Sequence, residues 1–292
     1  MITIDREGKT KILAMLTEYL RRLQDLCAAG ESDRGSAGPS ALGPMECLAL
    51  DIHVINLDRC KDRMAAFEKL NRPREVNFLR FSALDGKNVA RSPLIESGII
   101  TADLCYGEGA LGCALSHLAL WNLAIEQSQS LTVCEDDAIF NRSFGPAGES
   151  LIQALPPDWH LILWGWNFDS IVMFNMIPGV SPCLGMFDQD RMRLGIEAFQ
   201  TARLTPQPFR LFNAFGTVGY SVSPAGARAM KQHCLPFRNM DVFIPGLGRA
   251  VPNRDFDIML NDAYPRLNAY VSLPPLIITR NFHSISTIRQ AL

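Results

Sequence analysis

The sequence predicts an α/β protein with a mostly parallel, doubly wound sheet flanked by helices. Apolar runs of strand length alternate with helix-periodic stretches from about residue 48 onward. The chain's 292 residues are enough to bury a substantial core. Its composition, 48% apolar and 20% charged, is that of a globular protein rather than a disordered one.

Taken in order, LALDIHVINL (48–57) reads as a buried strand. DRCKDRMAAFEKLN (58–71) reads as a helix with Met64, Phe67 and Leu70 on one side. NFLRFSAL (77–84) supplies a second strand. LGCALSHLALWNLAIEQ (111–127) is a strong helix with a broad apolar face of Leu115, Leu118, Trp121, Leu123 and Ile125. SLTVCED (130–136) and WHLILWGW (159–166) are further strands. AFGTVGYSVSPAGARAMKQH (214–233) reads as strand, turn and helix, with Pro224 near the helix N-terminus. Strand–helix–strand succession with short connections favours parallel crossovers.

Residues 1–45 are set apart from the domain over 46–292. Ile12, Leu16, Tyr19, Leu23 and Leu26 fall at spacings of 4, 3, 4 and 3, one apolar stripe on a helix. AAGESDRGSAGPSALGP (28–44) follows as a flexible linker. Such a helix can associate with another copy, lie on a membrane surface, or pack on its own domain. Two heptads are short for a coiled coil.

A net charge of −2 leaves no electrostatic footprint for nucleic acid. Any bound anion must be held locally, by a metal, by helix N-termini or by a few Arg and Lys. None of the eight cysteines forms a C-x-x-C pair, which removes zinc-ribbon and thioredoxin readings and leaves small buried thiols. The start of the chain lacks the pattern of a secretory leader, and no apolar run reaches the ~20 residues of a membrane span. The expected setting is the reducing cytoplasm, at the inner membrane face if the N-terminal helix binds lipid.

Within LTVCEDDAIF (131–140), an apolar strand runs into Glu135, Asp136 and Asp137. In an open α/β sheet, ligands sit at the carboxyl ends of the strands. Were the strand to stay extended, Glu135 and Asp137 would point one way and Asp136 the other. Paired carboxylates in a cleft suit Mg²⁺ or Mn²⁺. On these residues alone, a solvated acidic turn is the alternative.

The segments around the triplet narrow the choice. VINLDRCKDRMAAFEKL (54–70), FSALDGK (81–87), GALGCALSHLALW (109–121), LTVCEDDAIF (131–140) and GTVGYSVSPAGARAM (216–230) resemble, in order, the motifs of glycosyltransferase family 25. This is the bacterial lipooligosaccharide and collagen galactosyltransferase family. The resemblance implies a GT-A-like fold and inverting transfer of a hexose, most often galactose from UDP-galactose. The acceptor would be a saccharide such as lipopolysaccharide core. It also implies that Asp137 and Glu135 hold Mn²⁺ or Mg²⁺ on the donor's diphosphate, with Glu135 and Asp136 reaching the ribose, the sugar or metal-bound water. Asp85, Gly86, Ser116 and His117 are placed on the donor side. His283, in TRNFHS, is a further metal candidate.

Asn56, Asp58, Arg59 and Arg63 follow the first strand, whose end should face the nucleotide, and an Arg there can pair with phosphate. A capped, solvated helix start explains them equally well. For the base that takes the acceptor proton, PNRDFDIMLND (252–262) offers Asp255, Asp257 and Asp262, of which Asp257 fits best. Asp241, in FRNMDVF, is a rival, and a helix cap is the other role for Asp257. Trp164 and Trp166 suit sugar stacking or core filling. Two positions depart from the family pattern: Ala110, where Glu is common, and Val218, before the Tyr of G-T-x-x-Y.

Overall fold

The computed structural model describes residues 50–71 and 76–281. The N-terminal segment and His283 lie outside them. β1 (Leu50–Asn56), α1 (Lys61–Leu70) and β2 (Val76–Ser82) form the first crossover, and α2 (Arg91–Glu96) and α3 (Glu108–Gln127) lead into β3 (Leu131–Glu135). A short β4 (Ala138–Phe140) and α4 (Phe144–Ala154) precede β5 (Leu161–Gly165). Next come β6 (Ile171–Ile177), β7 (Ser181–Met186), α5 (Gln189–Leu194), α6 (Ile196–Thr201) and β8 (Gln207–Ala214). β9 (Gly219–Val222), α7 (Pro224–Cys234), β10 (Asp241–Ile244) and β11 (Arg249–Pro252) follow. The described chain closes with α8 (Phe256–Ala263), β12 (Ala269–Leu273) and β13 (Ile277–Thr279).

Nine strands form the main sheet in the order β2-β1-β3-β9-β5-β12-β8-β6-β7. β2, β1, β3, β5, β12 and β6 run one way, and β9, β8 and β7 are reversed. The sheet is therefore mixed, with six of its nine strands running one way although five of its eight neighbouring pairs are antiparallel, and it is compatible with the expected α/β class. The reversed β9 sits at its centre, between β3 and β5.

Helices cover both faces because the strands are apolar on both. Along β5, Leu161 and Leu163 face one core while Ile162 and Trp164 face the other. The first core takes α3, α7 and α8; the second takes α1 and α4. α3 is buried nearly all round, which explains an apolar surface wider than one stripe. α7 opens with the Ser223 hydroxyl accepting from the Gly226 N–H, and Pro224 stands where its missing N–H costs nothing.

Trp164 and Trp166 have no exposed surface, so both fill the interior and neither stacks on a sugar. The expectation of buried thiols holds for Cys134 and Cys234, whereas Cys60, Cys113 and Cys183 are half-buried and Cys105 is exposed. All six described cysteines are free.

Candidate active site

Parallel pairing aligns the carboxyl ends of three strands, with Asn56 beside Ser82 and Ile55 beside Glu135. The reversed β9 starts at that same edge, with Gly219 opposite Cys134. The Glu135 N–H donates to the Val218 carbonyl at 3.1 Å, so Gly216 and Thr217 arrive where β3 ends. β13 pairs with β4 and sets Thr279 opposite Ala138, beside Asp137. Four segments distant in sequence thus meet around the acidic triplet.

The triplet does not stay extended, as the strand ends at Glu135 and a turn follows. The simple alternation of its side chains is therefore replaced by a fan. Thr217 Oγ1 donates to Glu135 Oε1 at 2.7 Å. Asn56 Nδ2 donates to Asp136 Oδ2 at 2.7 Å, and the Arg63 guanidinium pairs with Asp136 Oδ1. Thr279 Oγ1 donates to Asp137 Oδ2 at 3.1 Å, while Asp137 Oδ1 is buried with no hydrogen-bond partner among the described residues. Asp136 is thereby fastened to the chain after β1.

Glu135 and Asp137 work against each other. Loss of hydration, with the Asp137 charge added, pushes the Glu135 carboxyl up to about 7 despite the Thr217 bond. Desolvation likewise raises Asp137, against the pull of Arg63. Burial opposes the charge on Arg63, but Asp136, Asp137 and Glu135 together hold its pKa above the ordinary value.

A cavity of about 550 Å³ opens at this edge. Arg59, Cys60 and Arg63 form one wall, and Asp85, Gly86 and Lys87 another. The first turns of α3 contribute Glu108, Cys113, Ser116 and His117, with Glu135 and Asp136 alongside. The structure thus brings together Arg59, Arg63, Asp85, Gly86, Ser116, His117, Glu135 and Asp136 from the sequence-predicted set. Arg59 pairs with Asp85 across the rim. Asn56 lies behind the wall, 1% exposed, donating to the Cys60 carbonyl and accepting from Arg80 Nε at 3.0 Å. Asp58 is exposed, and its bonds with Arg80 and Ser82 lower its pKa. Asn56 and Asp58 thus shape the site from outside it.

Ser116 acts on the backbone. Its hydroxyl donates to the Gly112 carbonyl at 2.7 Å and accepts from the Leu84 N–H at 2.9 Å. A Cβ on Gly86 would stand 1.8 Å from the Glu108 carbonyl oxygen. The two glycines and the serine thus let the Asp85–Gly86 turn lie directly on α3.

His117 is fully buried. Its Nδ1 lies 2.9 Å from the Tyr220 hydroxyl, its Nε2 lies 3.3 Å from Thr217 Oγ1, and its ring stacks on Phe256 at 4.8 Å. Burial lowers its pKa to about 3, so the ring is neutral at ordinary pH. Thr217 and Tyr220 carry no assignment in the sequence reading, although both stand in the G-T-V-G-Y stretch that signals the family resemblance.

Of the candidate bases, Asp257 lies in the first turn of α8 and accepts from the Gly216 N–H at 2.9 Å. It therefore anchors the loop that carries Thr217, where Gly216 has a left-handed φ of +85°. Asp255 is the N-cap residue of α8, without a side-chain cap bond. The charges of Asp257 and Asp255 both reach Cys113 in the cavity wall. Asp241 is exposed at the start of β10, outside that wall.

Among the described residues, no group of three His, Cys, Asp or Glu side chains is placed to hold a metal ion. Glu135 and Asp137 nevertheless suit a hard divalent cation, being two mutually repelling carboxylates with one buried oxygen unpaired.

The sequence profile of glycosyltransferase family 25 (LPS biosynthesis protein) matches residues 49–244. The chain belongs to glycosyltransferase family 25. The stretch matched by family 25 covers the whole cavity wall and stops before Asp255, Asp257 and Thr279. Procollagen galactosyltransferase 1 of Danio rerio is 26% identical over 250 residues, covering 80% of this chain and 36% of that protein. This family 25 chain thus spans about a third of that relative's length. No helix among the described residues is long and apolar enough to cross a membrane.

Proposed function

We propose that this family 25 chain transfers a hexose, galactose in the first instance, from a UDP-sugar to a hydroxyl of a saccharide acceptor such as lipopolysaccharide core. One observation carries the reading: Glu135 lines the cavity, and Asp137, two residues on and outside that lining, has a buried Oδ1 without a hydrogen-bond partner among the described residues. The repulsion between these half-buried carboxylates is relieved either by a proton, as the raised Glu135 pKa shows, or by a cation between them. Mn²⁺ or Mg²⁺ between Glu135 and Asp137 would neutralise the charge that develops on a departing diphosphate. His283, four residues after Thr279, is a further candidate ligand.

The chain's own residues supply the rest. Arg59 and Lys87 stand on the wall as cations for phosphate oxygens, and the N-terminal turn of α3 adds its positive end. Asp85 and Gly86 border the same space. In the transfer, the acceptor oxygen bonds to the anomeric carbon while the bond from that carbon to the UDP oxygen breaks. The acceptor proton passes to a carboxylate, and UDP leaves with the bonding pair. Attack from the face opposite UDP inverts the anomeric configuration. Asp257 is the best placed of the candidate bases, since it adjoins the Gly216–Thr217 loop and its charge reaches the wall.

The test is transfer of labelled sugar from a panel of UDP-hexoses to saccharide acceptors, with Mn²⁺ and with EDTA. Metal-dependent transfer supports the proposal. UDP-sugar binding without transfer would identify a nucleotide-sugar binding protein, and metal-independent transfer would remove the role given to Glu135 and Asp137.

A further inference from the structure

We infer that His117 is a positioning residue: held between Tyr220 and Thr217, its ring orients the Thr217 hydroxyl that fixes the Glu135 carboxylate. The inference rests on the placement of Glu135 in the donor site proposed above, and it gives His117 a task other than touching the donor.

The direction of the hydrogen bonds carries the argument. Trp121 Nε1 can only donate, and it lies 3.1 Å from the Tyr220 oxygen. Tyr220 accepts that bond and gives its own hydrogen to His117 Nδ1 at 2.9 Å. With Nδ1 accepting, the imidazole proton must sit on Nε2, which faces Thr217 Oγ1 at 3.3 Å. Thr217 accepts there and donates onward to Glu135 Oε1 at 2.7 Å. Every member is satisfied in this sense. In the opposite sense, the Tyr220 hydrogen would have no acceptor in the relay, at a cost a buried hydroxyl rarely bears.

The relay is also held in place. Trp121, His117, Tyr220 and Thr217 are each at most 3% exposed. The His117 ring lies nearly parallel to Phe256, at an interplanar angle of 13°, which resists rotation. Burial keeps the imidazole uncharged, so protonation does not reverse the chain of bonds at ordinary pH. The bond to Oε1 restrains the Glu135 carboxylate against turning about its terminal bond. Partners behind a ligand that act in this way change activity by about 10- to 100-fold when removed.

The experiment combines nitrogen NMR of the His117 ring with kinetics of three variants in the full chain. The ring is expected as the neutral Nε2–H tautomer. Thr217→Val keeps the shape and removes the hydroxyl; kcat for transfer is expected to fall by about 10- to 100-fold with the acceptor KM unchanged. Thr217→Ser should recover most of that loss. Tyr220→Phe, which frees Nδ1, should lower kcat in the same direction and provides the test should Thr217→Val fail to fold. An Nδ1–H tautomer, a Thr217→Ser enzyme as slow as Thr217→Val, or a Thr217→Val enzyme at the wild-type rate would each overturn the inference. Should no donor be turned over, the transfer reading fails, and the tautomer still decides the relay.

Discussion

Gly86 and Gly112 meet backbone to backbone: a Cβ on Gly112 would stand 2.4 Å from the Leu84 carbonyl oxygen and 2.7 Å from the Gly86 amide nitrogen. This contact sets how closely the Asp85 turn approaches α3. It therefore sets the width of the cavity between them.

Gly112→Ala should destabilise the protein by about 3 kcal/mol, toward the upper end for an overpacked site, because the neighbours are backbone and cannot rotate away. Gly107→Ala is the control, since no atom lies within 4 Å of its added Cβ. That change should stay within about 0.5 kcal/mol of wild type. Urea denaturation of both variants measures the contrast.

Asp136→Ala removes the acceptor for Asn56 and the ion-pair partner of Arg63 together. The Asp136 side chain is 8% exposed and that of Arg63 26%, so water replaces little of what is lost. A loss of about 3 kcal/mol is expected, at the lower end for a broken buried pair. A loss below about 1 kcal/mol in urea denaturation would place the pair in effectively aqueous surroundings.

The folded-state pKa of Glu135, about 7, lies above its ordinary value of 4.5. Between these values the folded protein holds more protons at this site than the unfolded chain does. Stability from this group therefore falls as pH rises through the window. In EDTA, the thermal midpoint of Glu135→Gln should gain on wild type between pH 5 and pH 7.5. Saturating Mn²⁺ should abolish that gain. A difference that stays flat with pH would contradict the assignment.

Asp257→Asn keeps an oxygen to accept from the Gly216 N–H while removing the base. Folding should remain within about 1 kcal/mol of wild type, and transfer should fall by about 10²- to 10⁴-fold. The same change at Asp255 should cost less activity. Equal losses at both positions would point to a shared structural effect.

The parts legible in the sequence were those with a strong local signal. The largely apolar runs of β1, β3 and β5 and the wide apolar face of α3 announced themselves, as did Pro224 at the start of α7. β6, β7, β10 and β11 did not, because short segments such as SPCLGM and RAVP lack alternation and depend on distant partners for pairing. The direction of β9 was equally hidden. Its antiparallel insertion beside β3 is a tertiary choice, and it is what carries Thr217 to Glu135.

For the candidate site, the identities of the acids could be read but not their arrangement. Asp136 answers to Asn56 and Arg63, Glu135 to Thr217, and Asp137 to Thr279. Those partners lie on three remote segments that no local pattern connects. Ser116 was placed on the donor side from its motif; in the folded chain its hydroxyl holds Leu84 and Gly112. The same small side chain satisfies both descriptions until the backbone is seen.

The central claim is that Glu135 and Asp137 hold a divalent cation for a nucleoside diphosphate. Calorimetric titration of UDP into wild type and Asp137→Ala, each with Mn²⁺ and with EDTA, tests it most directly. The account predicts binding by wild type with Mn²⁺, weakened at least about tenfold by EDTA or by Asp137→Ala, with no further effect of EDTA on the variant. UDP affinity that is the same in all four titrations would contradict it.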